Sequence, residues 1–232
     1  MIGEKVMSHI QIAIDGPSGA GKSSLSRKVA QKLGIVYVDT GALYRTVGYF
    51  ARSRGITLDT VADIVPLLGE ISIEVKFENG AQHVYLNGED LGDKIRENEI
   101  SMYASCVSKL PEVRAFLLDT QKDIARKNSV IMDGRDIGTV ILPDADVKIF
   151  MTASIEARAR RRSIELEEKG MPASYDEILS DLVARDKQDR VREIAPAVAA
   201  PDAVIFDNSD FSFDESVDEL LKIIENTLSK KA

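Results

Sequence analysis

Short apolar segments alternate with longer stretches of helical periodicity over most of the chain. Such apolar segments are typical of buried parallel strands, and the periodic stretches between them are typical of helices that cover a sheet. The pattern predicts an α/β fold in which a parallel sheet is flanked by helices. One predicted strand begins at Ile10, and the others span residues 35–39, 130–132, 146–151 and 203–206.

Helical periodicity fills the intervals between these strands. Glycines and prolines supply the boundary signals, since Gly55 ends one predicted helix, Pro111 begins another and Gly170 ends a third. Predicted helices run from the glycine-rich loop to Leu33 and over residues 42–53, 95–107, 111–124, 153–168, 175–190 and 213–228.

Residues 70–90 depart from this pattern. Apolar residues from Ile71 to Phe77 alternate with polar ones, a turn follows at Glu78-Asn79-Gly80, and the alternation then resumes. Strict alternation on both sides of a tight turn predicts an antiparallel hairpin with one exposed face, which is foreign to a purely parallel sheet. We interpret this hairpin as part of an inserted subdomain.

A glycine-rich loop follows the first predicted strand directly. Gly16, Gly21, Lys22 and Ser23 satisfy the pattern G-x-x-x-x-G-K-[ST] at every fixed position. Glycines remove side chains that would keep backbone N–H groups away from a triphosphate, and the helix that follows directs its positive N-terminal end at the same anion. The sequence therefore predicts that this loop binds a nucleoside triphosphate.

The residue types of this loop indicate separate roles. Lys22 supplies a positive charge to the β- and γ-phosphates and is a predicted catalytic residue, while the Ser23 hydroxyl is expected to enter the coordination shell of the Mg²⁺ that accompanies ATP. The predicted ATP phosphate-binding residues are Gly16, Pro17, Ser18, Gly19, Ala20, Gly21, Lys22, Ser23 and Ser24.

The composition limits the classes of partner. The 232 residues carry a formal net charge of −8, the opposite of what a protein that wraps a nucleic-acid polymer requires. A mononucleotide remains compatible, because a local arginine cluster can lie inside an acidic protein. With one cysteine, Cys106, and no apolar run near the roughly 18 residues of a membrane span, we expect a cytoplasmic monomer that binds small molecules.

Arginines paired with acidic residues follow two of the predicted strands. Asp39-Thr40-Gly41-Ala42-Leu43-Tyr44-Arg45 follows the second strand, Asp133-Gly134-Arg135-Asp136 follows the third, and a further cluster occupies residues 185–192. Ligands of an open parallel sheet bind at the carboxyl ends of its strands. Arg45 and Arg135 are therefore expected to converge on a second anion that faces the triphosphate.

A run of arginines lies in the predicted helix 153–168. Arg158 and Arg162 are spaced i, i+4, so both can point at a transferring phosphoryl group and both are predicted catalytic residues. Arg161 lies on a neighbouring face, and Arg160 is expected to face solvent. A solvated basic face is the alternative interpretation of this run. We expect the segment 170–172 to be the hinge or tip of a lid.

From about Ile10 to Ser209 the chain resembles bacterial cytidylate kinases of the nucleoside-monophosphate kinase group. The resemblance rests on the loop Gly-Pro-Ser-Gly-Ala-Gly-Lys, then Asp-Thr-Gly-Ala-x-Tyr-Arg, Asp-Gly-Arg-Asp-x-Gly-Thr-Val, Pro-Asp-Ala-x-x-Lys-Ile-Phe and Arg-Asp-x-x-Asp-x-x-Arg, in that order. The hairpin insertion also matches. The resemblance implies a P-loop kinase fold and transfer of the γ-phosphoryl group of ATP to CMP or dCMP.

The resemblance also implies that three sets of residues bind CMP. Arginine donors and an aspartate acceptor are complementary to the O2, N3 and amino group of cytosine. The implied residues are Arg45, Arg135, Thr40 and Tyr44 for the monophosphate, Ser105, Arg114, Asp136 and Arg192 for the base, and Arg185 and Asp189 for the ribose hydroxyls. Some family members carry Gly-Thr in place of Ser23-Ser24, so the serine that reaches magnesium is left open.

We expect a single P-loop kinase domain over residues 1–232. It would combine a core at about 9–55, 128–155 and 190–232 with a monophosphate-binding insertion at about 56–127 and a lid at about 156–172.

Two alternatives compete with a cytidylate kinase. A P-loop switch or regulatory ATPase would leave Arg45, Arg135 and the 185–192 cluster unexplained. A kinase for uridylate, thymidylate or shikimate is the nearer alternative, and the cytosine-reading set discriminates against it.

Overall fold

The structure is a computed structural model that describes residues 9–78, 80–168, 170–171, 173–191 and 193–231. Its strands are β1 (Gln11–Asp15), β2 (Val36–Asp39), β3 (Ile73–Glu78), β4 (Ala81–Leu86), β5 (Glu89–Asp90), β6 (Val130–Gly134), β7 (Val147–Thr152) and β8 (Val204–Asp207). Its α-helices are α1 (Lys22–Leu33), α2 (Thr40–Ser53), α3 (Asn98–Val107), α4 (Pro111–Lys127), α5 (Ile155–Glu168), α6 (Tyr175–Val191) and α7 (Phe213–Ser229).

Five strands form the parallel sheet that the sequence predicts, in the order β2-β6-β1-β7-β8. The strand that precedes the glycine-rich loop, β1, lies in the middle. The chain passes from β1 to the edge strand β2, returns to β6 beside β1, and then continues to β7 and β8 on the other side. The register sets Asp39 beside Asp133 and Asp15 beside Gly134. The polar residues at these carboxyl ends therefore meet at the switch point where doubly wound sheets bind ligands.

The remaining three strands form a separate antiparallel sheet in the order β3-β4-β5. This confirms the predicted hairpin, and the residues of β3 alternate between half-buried and exposed as the sequence pattern requires. Phe77 and Gln82 are directly opposite each other in the ladder. Opposite residues of an antiparallel pair share a face, so both side chains lie on one side of the hairpin.

The buried apolar side chains of the described residues form four clusters. Two clusters cover the two faces of the parallel sheet. A third joins the hairpin to α2, α3 and α4, and a small fourth cluster of Ala159, Leu166, Ile178 and Leu182 joins α5 to α6. The hairpin region and the α5–α6 pair therefore each have an apolar cluster of their own outside the sheet.

The predicted helix 95–107 is divided into a short 3-10 helix, Gly92–Arg96, and α3. Two further segments have no counterpart in the predicted elements. A 3-10 helix at Val61–Glu70 contains Pro66, and a π-helical turn at Ile137–Ile141 follows β6. Across the described ranges, no helix combines the length and the apolar character that a bilayer crossing requires.

Candidate active site

The glycine-rich loop turns the chain from β1 into α1. Gly16, Gly19 and Gly21 have φ angles of 146°, 76° and 85°, which favour glycine. A Cβ atom at Gly16 would lie 1.9 Å from the carbonyl oxygen of Met151, so no side chain fits there. Gly21 precedes α1 and has no side chain with which to cap it. The first N–H groups of α1 are therefore presented to an anion.

Lys22 is buried at the start of α1 and donates a hydrogen bond of 2.7 Å to the Pro17 carbonyl oxygen. Burial and the neighbouring positive charge of Arg135 hold the pKa of Lys22 well below its usual range, whereas Asp133 and Asp15 act in the opposite direction. An anion placed here would relieve the repulsion between Lys22 and Arg135. The local electrostatics thus favour a polyanionic ligand.

Asp133, near the end of β6, accepts three hydrogen bonds from residues of other elements. Its Oδ2 accepts from the Ser23 hydroxyl at 2.7 Å, its Oδ1 from the Tyr37 hydroxyl at 3.1 Å, and its carbonyl oxygen from Thr40 Oγ1 at 2.8 Å. Burial, and then the charge of Asp39, raise the pKa of Asp133 to about 6.

A hydroxyl and a carboxylate oxygen in contact at the end of a phosphate loop are the donor set that Mg²⁺ prefers. Ser23 is in this contact, whereas Ser24 makes no hydrogen bond of its side chain within the described residues. The sequence analysis left Asp133 out of the predicted site. The signal was present, because an acidic residue directly follows the apolar run Val130–Met132.

Arg45 on α2 lies beside the carboxyl end of β2. Its Nη2 donates to Asp39 Oδ2 at 2.7 Å, and Asp39 Oδ1 accepts from the backbone N–H of Ala42 to cap the helix. The Nε of Arg45 is buried and has no hydrogen-bond partner among the described residues. A Cβ at Gly41 would lie 3.0 Å from Arg45 Nη1, so glycine leaves the space that this guanidinium occupies. Arg45 therefore retains a buried donor for a ligand.

Arg135 and Arg185 bring further positive charge to the same region. Arg135 Nε donates to Asp189 Oδ2 of α6 at 2.8 Å. Arg185 is exposed in part, but the protein around its guanidinium desolvates the charge and lowers its pKa. The charges of Arg135, Arg162 and Arg45 lower this pKa further, against the opposing charge of Asp189. The predicted convergence of Arg45 and Arg135 is consistent with this mutual repulsion.

The predicted base-reading residues Arg114 and Asp136 are in direct contact. Arg114 Nη2 donates to Asp136 Oδ2, and both side chains are at least nine-tenths buried. The Arg114 guanidinium also lies 5.6 Å from the centre of the Tyr44 ring. A buried carboxylate held by a guanidinium beside an aromatic ring can recognise a planar heterocycle with a hydrogen-bond donor.

Ser105 on α3 accepts a hydrogen bond of 3.4 Å from the amide of Gln188 on α6. The predicted ribose residues Arg185 and Asp189 lie on this same helix, so α6 connects the base and sugar parts of the predicted site. Arg192, the remaining predicted cytosine-reading residue, lies outside the described residues.

Asp15, the last residue of β1, is a second carboxylate that the sequence analysis did not assign. Its two oxygens accept from the backbone N–H groups of Ile137 and Gly138, both at 2.8 Å. Burial raises the pKa of Asp15 to about 6 against the opposing effect of these bonds. Asp15 therefore attaches the turn after Asp136 to the strand that carries the phosphate loop.

The two predicted catalytic arginines of α5 have different surroundings. Arg158 is 5% exposed and donates to the Ser18 carbonyl oxygen at 3.0 Å and to Asp186 of α6 at 2.6 and 3.1 Å. Arg162 is half-buried and pairs with Glu165 at 2.9 Å. Arg158 thus contacts the phosphate loop directly, and Arg160 is exposed as predicted.

Arg161 makes a further connection that spacing does not indicate. It donates to the side-chain and main-chain oxygens of Asn208 at 3.0 and 2.7 Å, and Asn208 Nδ2 donates to the Ala20 carbonyl oxygen at 3.0 Å. Because Asn208 is 1% exposed, it forms a buried link between α5 and the phosphate loop.

Comparison with known proteins places this geometry in context. A family model described as cytidylate kinase matches residues 12–226. The chain is 44% identical to a cytidylate kinase of Caldicellulosiruptor saccharolyticus over 97% of this chain and all of that one. It is 46% identical to a cytidylate kinase of Caldicellulosiruptor bescii over 94% of this chain and 96% of that one.

A solved structure of an uncharacterized protein from Eubacterium ventriosum has a similar fold. The TM-score is 0.50 at 15% identity, with 94% of this chain and 99% of that chain covered.

Proposed function

The chain belongs to the cytidylate kinase family, and we propose that it transfers the γ-phosphoryl group of ATP to CMP or dCMP through the residues described above. The observation that carries the assignment of residues is the concentration of positive charge between the phosphate loop and α6. Burial and the charge of Arg135 lower the pKa of Lys22, and burial and the charges of Arg135, Arg162 and Arg45 lower the pKa of Arg185. Arg45 has a buried donor with no hydrogen-bond partner among the described residues.

The phosphates of ATP bind to the glycine-rich loop. Residues 16–24 surround them with backbone N–H groups and the N-terminal end of α1, and Lys22 neutralises charge on the β- and γ-phosphates. When it binds the phosphates, Lys22 exchanges its bond with Pro17 for bonds to phosphate oxygens. Arg158 and Arg162 add charge from α5, with Arg158 already seated against Ser18.

Ser23 and Asp133, whose oxygens are in contact, would hold the Mg²⁺ that accompanies ATP. When bound, the ion neutralises phosphate charge and orients the β- and γ-phosphates.

The monophosphate of CMP binds between Arg45 and Arg135, beside Thr40 and Tyr44. The base lies against Arg114 and Asp136, where the Asp136 carboxylate accepts a hydrogen bond from the cytosine amino group and Arg114 donates to an acceptor of the ring. Ser105 and Arg192 complete the base contacts. Arg185 and Asp189 bind the ribose hydroxyls.

The chemical step needs positioning rather than a strong base. The phosphate of CMP is mostly dianionic near neutral pH, because its second pKa is about 6. One of its oxygens bonds to the γ-phosphorus in line with the departing β-phosphate oxygen, and ADP leaves with the electron pair of the broken bond. The cations of the site lower the repulsion between the two anions. Closure of the lid at about 156–172 and of the hairpin subdomain excludes water.

The division into a core, a monophosphate-binding insertion and a lid accounts for the separate apolar clusters. The hairpin with α3 and α4 has one cluster and the α5–α6 pair another, so each can move as a unit over the sheet. Helix α2 contributes residues to the apolar cluster of the hairpin, α3 and α4. It therefore connects the core to the insertion.

An acceptor panel tests the proposal directly. CMP, dCMP, UMP, TMP, AMP, GMP and shikimate are added singly with ATP and Mg²⁺, and ADP release is measured together with the phosphorylated product. We expect CMP and dCMP to be the best acceptors, UMP to be poor, and AMP and GMP to be nearly inert. Equal turnover of AMP and CMP would refute the assignment of the base site. ADP release that no acceptor accelerates would favour a P-loop ATPase instead.

A further inference from the structure

The hairpin is attached to the carboxyl end of β2 by one side chain. Gln82 Oε1 accepts a hydrogen bond of 2.7 Å from the backbone N–H of Asp39, and Gln82 Nε2 donates one of 3.2 Å to the carbonyl oxygen of Asp39. The Gln82 carboxamide therefore supplies hydrogen-bond partners for both the N–H and the C=O group of Asp39. Because β2 is an edge strand of the parallel sheet, Gln82 supplies bonds that a neighbouring strand would otherwise supply.

Asp39 connects this attachment to the monophosphate site. Its two carboxylate oxygens bind the N–H of Ala42, at the start of α2, and Nη2 of Arg45. The hairpin thus holds the backbone of Asp39 through Gln82. The Asp39 side chain caps the start of α2 and binds one nitrogen of the Arg45 guanidinium. A shift of the Asp39 backbone would shift both.

A second contact directs Gln82 toward this position. Phe77, directly opposite Gln82 on the same face of the hairpin, packs against the apolar cluster that includes Val38 of β2. The face of the hairpin that carries Gln82 therefore also makes an apolar contact with the cluster that covers this side of the parallel sheet.

We propose that Gln82 is a positioning residue for the phosphate acceptor. Contact of the hairpin with β2 fixes the Asp39 backbone through Gln82, and the Asp39 carboxylate then orients Arg45. The insertion thereby orients a guanidinium of the monophosphate site. This inference rests on the proposed function, because it takes Arg45 as a ligand of the acceptor phosphate.

The test compares Gln82→Leu, which removes both bonds, with Gln82→Glu, which keeps the acceptor for the Asp39 N–H and loses the donor. Glu78→Leu, at an exposed position of the same hairpin, is the matched control. We expect KM for CMP to rise about tenfold in Gln82→Leu, which loses two net hydrogen bonds, and less in Gln82→Glu, which loses one, while KM for ATP changes less than about twofold in either variant. The control should leave both constants unchanged.

A double-mutant cycle with Arg45→Met distinguishes positioning from a general loss of stability. If Gln82 acts through Arg45, Gln82→Leu adds nothing to the rise in KM for CMP once Arg45 is replaced. Additive effects on KM for CMP, or equal rises for CMP and ATP, would overturn the proposal.

Hydrogen exchange separates this proposal from the assignment of function. In the ligand-free protein, residues 73–86 should exchange faster in Gln82→Leu than in the wild type or in Glu78→Leu, with α1 unchanged. Unaltered exchange there would refute the coupling of hairpin and β2, whatever the acceptor is. A wild-type protein that fails to phosphorylate CMP would instead refute the proposed function.

Discussion

The Ser23 hydroxyl and the Asp133 carboxylate are joined by a hydrogen bond of 2.7 Å, although 110 positions separate them in the sequence. The bond connects the first turn of α1 to the end of β6 and places a hydroxyl and a carboxylate oxygen together beside the phosphate loop. Ser24, one residue further along α1, makes no side-chain hydrogen bond among the described residues. The neighbouring serines therefore differ in their contact with the carboxylate of Asp133.

Replacing these serines one at a time tests that difference. We expect Ser23→Ala to raise the Mg²⁺ concentration needed for half-maximal turnover about tenfold or more, because one oxygen ligand and the partner of Asp133 are lost. Ser24→Ala should change the Mg²⁺ dependence much less. Mg²⁺ titrations at saturating ATP and CMP measure it. A larger effect in Ser24→Ala would assign the metal to the second serine.

Asp133 is predicted to reduce stability at the pH where the enzyme works. Burial and the charge of Asp39 raise its pKa from 3.8 to about 6, so the folded protein binds this proton more tightly than the unfolded chain does. Its contribution to stability is present below pH 3.8 and is lost as the pH rises through about 6.

Asp133→Asn should remove the decrease in stability that ionisation of the Asp133 carboxyl causes at high pH. We expect the stability of the variant relative to the wild type, measured as the difference in their free energies of unfolding, to be about 2–3 kcal/mol greater at pH 8 than at pH 4. Urea unfolding at the two pH values measures it, and turnover should fall sharply in the same variant. A difference between the two proteins that does not grow with pH would contradict the raised pKa.

Lys22→Ala should abolish most activity without unfolding the protein. The variant loses the charge that follows the β- and γ-phosphates in the transition state, and we expect kcat to fall at least about 10²- to 10³-fold. Lys28→Ala, on the exposed side of the same helix, is the control and should retain wild-type kinetics. Near-normal turnover in Lys22→Ala would refute the phosphate-loop assignment.

The strands, the helices and the phosphate loop could be predicted from local sequence, because each depends on periodicity and on glycine positions. The edge of the sheet that carries Arg45 and Arg135 could also be predicted, since parallel strands end together. Their convergence on one anion stays a prediction. Local pattern cannot provide long-range hydrogen-bond partners. The bonds from Ile137 and Gly138 to Asp15, and the Gln82–Asp39 pair, depend on how distant segments pack.

The i, i+4 spacing of Arg158 and Arg162 predicts a shared helix face but does not predict the partners of the two side chains. A separation of four residues places two side chains on one helix face, but not on the same partner. In the structure Arg158 turns back to Ser18 and Asp186, whereas Arg162 pairs with Glu165. Their joint action at the transferring group stays a prediction.

Asp136 should determine the choice between cytosine and uracil. UMP presents a carbonyl where CMP presents an amino group, and that carbonyl would face the carboxylate that Arg114 holds. Asp136→Asn supplies an amide that can donate to the carbonyl, so we expect the ratio of kcat/KM for CMP over UMP to fall about tenfold or more. Asp144→Asn, at an exposed turn, is the control. An unchanged ratio would remove Asp136 from the base site.

Asp189 has two potential roles, and comparing CMP with dCMP separates them. It lies four residues after Arg185 on α6, where both can meet the ribose, but it also accepts from Arg135 Nε at 2.8 Å. We expect Asp189→Ala to raise KM for CMP several-fold more than KM for dCMP, because only CMP has the 2′-hydroxyl that the carboxylate would accept from. KM for ATP should stay nearly constant, and Asp181→Ala, exposed on the same helix, should leave all three constants unchanged. Equal rises for CMP and dCMP would mean that Asp189 acts by orienting Arg135 at the phosphate. No rise for either acceptor would withdraw Asp189 from the site.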